Sequence, residues 1–98
     1  MGYNIKVIKS FAHKGLEKLF YNNTKKGIKA EYAQKLLDIL DRLDASYIVE
    51  DMNFPGSNLH ELSGKKKGIW TVKVSGNWLV TFKFENGEAH VVSYEGYH

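Results

Sequence analysis

The sequence predicts a single α+β domain over residues 1–98, in which a two-helix hairpin packs on an antiparallel sheet. Leucines at helical spacing predict the helices of the first half, and apolar residues that alternate in period two between short turns predict the strands of the second half. A chain of 98 residues has room for one core of modest size.

The first predicted elements are an N-terminal strand and two helices. The strand runs from Tyr3 to Ser10 and is rich in β-branched residues, which favour extended backbone. The helices cover about residues 12–22 and 29–44. In the second helix the apolar residues repeat at i, i+3, i+4 and i+7, which places them in one stripe that faces a core. That stripe consists of Ala33, Leu36, Leu37, Leu40 and Leu43.

A meander of three or four strands follows an irregular stretch over residues 45–58. Asn86-Gly87 is a strong signal for a tight hairpin turn, and Ser75-Gly76-Asn77 predicts another turn. Consecutive strands joined by tight turns pair antiparallel. The strands are predicted over residues 58–62, 69–74, 78–84 and 88–94, with a basic turn at 64–68.

The two faces of the predicted sheet differ in chemistry. One face is rich in aromatic residues and is expected to pack on the helices, because antiparallel sheets commonly bury one face and leave the other to solvent. The opposite face is expected to point outward. It carries Thr71, Lys73, Leu79, Thr81 and Lys83.

Composition excludes several classes of protein. The chain has no cysteine, which rules out disulfides and thiolate metal sites and favours a reducing compartment. The four histidines are too scattered for a zinc site, and no phosphate-cradling glycine motif is present, so neither a metal nor a cofactor is expected. No apolar run approaches the ~20 residues of a membrane span.

Positive charge is concentrated in two parts of the sequence. Residues 1–29 contain seven lysines against one acidic residue, Glu17, and residues 65–67 add three consecutive lysines. Such clusters attract phosphate, although a lysine-rich surface is also ordinary for a soluble protein.

Several residues of the last third suit RNA cleavage through attack of a 2′-hydroxyl on the adjacent phosphate. Histidine suits the proton transfers because its unperturbed pKa is about 6.5. Lysine stabilises developing charge, and aromatic rings stack on unpaired bases. An ordinary edge residue is the alternative interpretation of His60, and a frayed terminus that of His98. The candidates are His60, Lys65, Lys66, Lys67, Tyr94, Tyr97 and His98.

These residues belong to a recognisable pattern. The stretch LHELSGKKKGIWTVKVSGNWLVTFKFENGEAHVVSYEGYH resembles the C-terminal signature of HigB-type toxins in the RelE-like superfamily, and IKSFAHKGLEKLF is similar to that family's opening. The resemblance runs from about Ile8 to His98 and implies a small sheet packed against two helices. It also implies a cytoplasmic toxin of a type II toxin–antitoxin pair, which cuts mRNA in the ribosomal A site. Its expected partner is a helix-turn-helix antitoxin, with which it forms a hetero-oligomer.

The resemblance further implies roles for individual residues. His60 and His98 match family histidines that serve in proton transfer, and Tyr97 matches a tyrosine that stacks on the substrate or donates to it. The basic turn and the strand after it supply cations for the phosphate. Those cations are Lys65, Lys66, Lys67 and Lys73.

Three positions depart from the family pattern. Ser63 stands where a lysine is common, Leu79 where an arginine is common, and Gly96 where an aspartate is usual. One charge-stabilising group is often worth about 10²–10³ in rate. Two further hypotheses therefore stay open. Beside the active toxin, one is a weakened or inactive homologue that still binds an antitoxin or RNA, which these departures favour. The other is a purely structural or basic RNA-binding protein, which the lysines of residues 1–29 favour.

Overall fold

Two helices and a four-stranded antiparallel sheet make up the domain, as expected for the predicted α+β class. The structure is a computed structural model and describes residues 6–96. Strand order in the sheet is β1-β2-β3-β4, so each strand pairs antiparallel with the next along the chain. The elements are α1 (Lys14–Asn22), α2 (Ala30–Asp44), β1 (His60–Glu61), β2 (Ile69–Ser75), β3 (Trp78–Glu85) and β4 (Glu88–Gly96).

Both helices begin and end close to their predicted limits. The N-cap of α1 is His13, whose Nδ1 accepts a hydrogen bond from the amide of Leu16 at 3.0 Å. The helix ends at Asn23, which adopts the left-handed conformation that asparagine tolerates better than most residues. The apolar stripe of α2 is buried as predicted, except that Leu37 is only half-buried.

The core lies between the helices and one face of the sheet. Val72 and Val80 are cross-strand partners, and both are fully buried. Phe82 is buried beside them, while the aromatic residues towards the strand ends are half-buried and pack against this core. The prediction that the aromatic-rich face packs on the helices is therefore confirmed. These half-buried aromatic residues are Trp70, Trp78 and Phe84.

The prediction of a continuous N-terminal strand is wrong for the described residues. Tyr3 lies outside them, and the segment from residue 6 onward runs parallel to β4 with only two isolated bridges, Ile8 to Ala89 and Phe11 to Val92. A bulge in β4 explains the interruption, because the pairing with β3 shifts register there and Val91 has a φ of 47°. The extra residue of the bulge breaks the regular ladder that a continuous strand requires.

Side-chain hydrogen bonds hold this N-terminal segment at two points. Asp44, at the end of α2, accepts hydrogen bonds on Oδ1 from the amides of Val7 and Ile8, at 3.0 and 2.9 Å. A carboxylate at a helix C-terminus is unfavourable towards the helix dipole, so these two hydrogen bonds account for its position. At the bulge, the amide of Val91 donates to Ser10 Oγ at 2.8 Å.

The predicted strand over residues 58–62 is shorter in the structure. Asn58 has a φ of 48°, which interrupts extended backbone, and only His60 and Glu61 pair with β2. Before the interruption, the carbonyl of Ser57 still accepts a hydrogen bond from the amide of Lys73 at 2.7 Å. Among the residues described, no helix has the length and apolar character needed to cross a membrane.

Replacing Asp44 tests how much its hydrogen bonds to the N-terminal segment contribute to stability. Asp44→Ala is expected to lower the free energy of unfolding by about 1–3 kcal/mol, because two half-buried amides lose their acceptor. Chemical denaturation measures the change. Asp44→Asn is the matched control, since it retains a carbonyl oxygen at the same place and is expected to lose less. Equal stability of Asp44→Ala and the native chain would show that the two hydrogen bonds contribute nothing.

Candidate active site

A cleft of about 670 Å³ occupies the sheet face opposite the helices. Thr71 and Thr81 point outward as predicted, yet they are only 1% and 8% exposed. They form the floor of the cleft, because His60 lies against one threonine and Glu95 against the other. The residues that line the cleft are Asn58, His60, Leu62, Ser63, Lys66, Thr71, Lys73, Gly76, Asn77, Leu79, Thr81, Glu95 and Gly96.

Strand register arranges the floor in rows across the sheet. His60 pairs with Thr71, Thr71 with Thr81, and Thr81 with Ser93, so one polar row crosses all four strands. Directly paired side chains on one face are neighbours, which makes this row a continuous polar strip with a histidine at one end. In the adjacent row Lys73 pairs with Leu79, and Leu79 with Glu95.

The ring of His60 is oriented by the backbone before it. Its Nδ1 lies 3.2 Å from the carbonyl oxygen of Asn58 and 3.4 Å from Thr71 Oγ1. A carbonyl can only accept, so we assign the proton of the neutral ring to Nδ1. The lone pair on Nε2 is then available to take a proton from a substrate.

The four candidate lysines divide into two pairs. Lys66, in the basic turn, and Lys73, on β2, both line the cleft. Lys65 and Lys67 flank Lys66 in the chain but are not among the lining residues. All four side chains are exposed, so the lysines that do not line the cleft contribute positive charge near it rather than direct contacts within it.

The C-terminal candidates give a mixed result. Gly96, the last residue described, lines the cleft, while Tyr97 and His98 lie outside the described residues. The prediction that Tyr94 contributes to the site is wrong, because alternation along β4 directs its side chain into the core. Its ring packs against Trp78 with a centroid distance of 4.9 Å, and burial raises the pKa of Tyr94.

The three departures from the family pattern meet in this cleft. Ser63, Leu79 and Gly96 come from the basic turn, β3 and β4, and all three are lining residues. Leu79 is half-buried and separates Lys73 from Glu95 in their row. Gly96 pairs with Trp78, and a Cβ added at Gly96 would lie 3.5 Å from the Trp78 ring, so a side chain there would start on the aromatic face and not in the cleft.

Glu95 is the site residue that the sequence reasoning missed. It lines the cleft, and its Oε2 accepts a hydrogen bond from Thr81 Oγ1 at 3.4 Å. The signal was present in the strand pattern, because a buried Tyr94 requires its neighbour to point to the outer face. Within residues 6–96, no group of three or more His, Cys, Asp or Glu side chains is arranged to hold a metal ion.

Comparison with known proteins covers both the helices and the sheet. The model of a family of HigB-like toxins, described as the RelE-like toxin of the type II toxin–antitoxin system HigB, matches residues 9–98. A relative from Proteus vulgaris, named Endoribonuclease HigB, is 38% identical over 92 residues. The aligned region spans 94% of this chain and 100% of the relative.

The hydrogen bonds of His13 and His60 predict opposite tautomers. In the neutral form, His60 is expected to carry its proton on Nδ1, facing a carbonyl, whereas His13 is expected to carry it on Nε2, because its Nδ1 accepts from an amide. Long-range proton–nitrogen correlation spectra distinguish the two forms. A proton on Nε2 of neutral His60 would contradict the assigned orientation of that ring.

Proposed function

The chain belongs to the HigB family of RelE-like toxins of type II toxin–antitoxin systems, which confirms the resemblance in the sequence, and we propose that it is an endonuclease that cuts mRNA and thereby inhibits translation. The relative named Endoribonuclease HigB supports this activity. The observation that carries the proposal is the cleft, which collects His60, Lys66 and Lys73 with the end of β4 on one surface.

The partners follow from the same membership. A toxin of a type II pair has an antitoxin as its partner. We propose further that this antitoxin is a helix-turn-helix protein that forms a hetero-oligomer with the chain. We also propose that the substrate is mRNA held in the ribosomal A site, in the cytoplasm. The exposed lysines around the cleft support an RNA substrate, since cations on that surface favour phosphate.

The proposed reaction forms a bond from the 2′-oxygen to phosphorus and breaks the bond from phosphorus to the 5′-oxygen. A base takes the proton of the 2′-hydroxyl, and an acid returns a proton to the departing 5′-oxygen. We propose that His60 and His98 share these two steps. The orientation of His60 suits it to accept a proton, because Nε2 is the nitrogen with the available lone pair.

Cations are required because negative charge grows on the phosphate as the bonds exchange. We propose that Lys66 and Lys73 contact the phosphate, with Lys65 and Lys67 adding to the local positive potential. Tyr97 is proposed to stack on a base or to donate to the substrate. Glu95 sets a limit on where the phosphate sits, because a carboxylate repels it and confines it to the side of the cleft nearer the lysines.

A second candidate function is a family member with weakened or absent catalysis that still binds an antitoxin or RNA. The half-buried side chain of Leu79 in the cleft floor favours it, because leucine cannot stabilise a charged phosphate. Lys73 is its direct neighbour across the strands, but an ammonium cannot reproduce the two-pronged contact of a guanidinium. Both candidates share one fold and differ only in the rate of cleavage.

Induction in bacteria tests the proposed roles of the histidines. His60→Ala, or removal of His98, is expected to abolish growth arrest and the new mRNA 5′ ends that the native chain produces, because one proton transfer is lost. His90→Ala is the matched control: this histidine pairs with Glu88 at 3.1 Å, outside the cleft lining, and its loss is expected to leave the arrest intact. Undiminished arrest by His60→Ala would exclude that residue from catalysis.

Restoring the family residues separates the two candidate functions. Leu79→Arg combined with Gly96→Asp is expected to raise the rate of mRNA cleavage by about 10²-fold or more if the native chain is weakened, since it returns a guanidinium to the cleft floor. Rates are compared by mapping mRNA 5′ ends over a time course. The backbone at position 96 is expected to tolerate the change, because an added Cβ would be in ordinary contact with the ring of Trp78. Equal and strong toxicity of both chains would reject the weakened homologue.

A further inference from the structure

A lysine-rich surface on α1 is not used by the cleft. Lys14, Lys18 and Tyr21 occupy positions i, i+4 and i+7 of this helix, which places them on one face. The ammonium of Lys6 lies 5.4 Å from the centroid of the Tyr21 ring, so the N-terminal segment brings a third lysine to the same place. These four residues are named the lysine–tyrosine patch below, and all four are exposed.

The positive charge of the patch is not neutralised by neighbouring acids. Among residues 6–96, the two ion pairs within 4.0 Å are Lys83–Glu85 and His90–Glu88, and neither involves the patch. The acidic side chain closest in sequence is Glu17, on the same helix. Three lysines without a paired acid create a local positive potential that favours a polyanion.

The ring of Tyr21 is both exposed and rigidly supported. It is 48% exposed, and Phe11 and Phe20 contact it edge-on, with centroid distances of 5.8 and 5.1 Å. An aromatic ring held in place beside cations is the arrangement by which proteins stack the bases of single-stranded nucleic acid while binding its phosphates. The exposed cation–π contact of Lys6 is weak, so a base can displace its ammonium from the ring.

The N-terminal segment contributes both to the support of the patch and to a recess beside the cleft. An apolar recess of about 260 Å³ adjoins the cleft on the outer face and shares Lys66, Thr81 and Glu95 with it. Ala12 lines this recess, and the residue before it, Phe11, supports the ring of Tyr21. The N-terminal segment therefore contributes one residue to the recess beside the cleft and the next residue to the support of Tyr21.

We propose that the lysine–tyrosine patch is a second RNA-binding surface, which takes single-stranded RNA outside the cleft. One base stacks on Tyr21, and the ammonium groups of Lys6, Lys14 and Lys18 contact the flanking phosphates. The proposal rests on the proposed function for the identity of RNA as the partner, but it does not depend on catalysis. The alternative ligand is an acidic polypeptide, whose binding would depend on the lysines and not on the aromatic ring.

Fluorescence anisotropy with a short, labelled, 2′-O-methylated single-stranded RNA tests the patch. This probe has no free 2′-hydroxyl and cannot be cut by the proposed reaction. Tyr21→Ala is expected to weaken binding by about 5- to 100-fold, and Tyr21→Leu equally, whereas Tyr21→Phe keeps the ring and is expected to bind normally. Tyr47→Ala, at a tyrosine 86% exposed outside the patch, is the control. Thermal unfolding verifies that each variant is folded.

Salt dependence tests the lysines separately. The combined change Lys6→Gln, Lys14→Gln and Lys18→Gln is expected to reduce the slope of log affinity against log salt by about 2, since each phosphate contact on a single strand contributes about 0.7. Lys35→Gln, at an exposed lysine on α2, is the control. It is expected to change the slope by less than the contribution of one phosphate contact, about 0.7.

Two outcomes would overturn the proposal. The first is that folded Tyr21→Ala binds the probe with the same affinity as Tyr47→Ala. The second is that the triple lysine change lowers affinity while loss of the ring has no effect, which would indicate binding of any polyanion. The proposed nuclease activity is tested separately, by mapping mRNA 5′ ends. If the native chain leaves mRNA uncut, the nuclease is contradicted. If Tyr21→Ala nevertheless weakens binding of the probe RNA, the patch is supported.

Discussion

The antiparallel register of the sheet is the constraint on which both faces of the molecule depend. Side chains alternate along a strand, so a slip of one residue would move every core residue of that strand to the cleft side. The hairpin turn at Asn86-Gly87, where both residues have positive φ, helps to set the register between β3 and β4. The same pairing that places Val80 beside Val72 in the core places Thr81 beside Thr71 on the cleft floor.

The bulge in β4 links the sheet to the N-terminal segment. It breaks the parallel pairing into two bridges, and Ser10 compensates by accepting the amide of Val91. A β-branched residue at positive φ is strained, and bulges of this kind are common beside functional sites. Here Val91 lines the recess that adjoins the cleft, so the irregularity borders the proposed active site.

Family membership and catalytic strength depend on opposite faces of the sheet. On the core face, Val72, Val80 and Phe82 are fully buried, and burial of this kind drives folding. The three departures from the family pattern all lie in the cleft, where a substitution such as Leu79 for arginine leaves the core packing untouched. Hydrophobic burial thus preserves the fold while the cleft chemistry changes, because the free energy of folding comes mainly from the buried face.

The sequence alone determined the α+β class, both helices and the strand order, because periodicities of 3.6 and 2 and the tight turns are local properties. It also predicted His60, Lys66 and Lys73 as site residues, and all three line the cleft. Only the tertiary structure decided that Thr71 and Thr81 are buried on the cleft floor, that Tyr94 belongs to the core, and that Glu95 faces Leu79. These facts depend on pairing between residues distant in the chain and on side chains rising from neighbouring strands. Local sequence patterns carry no information about such contacts.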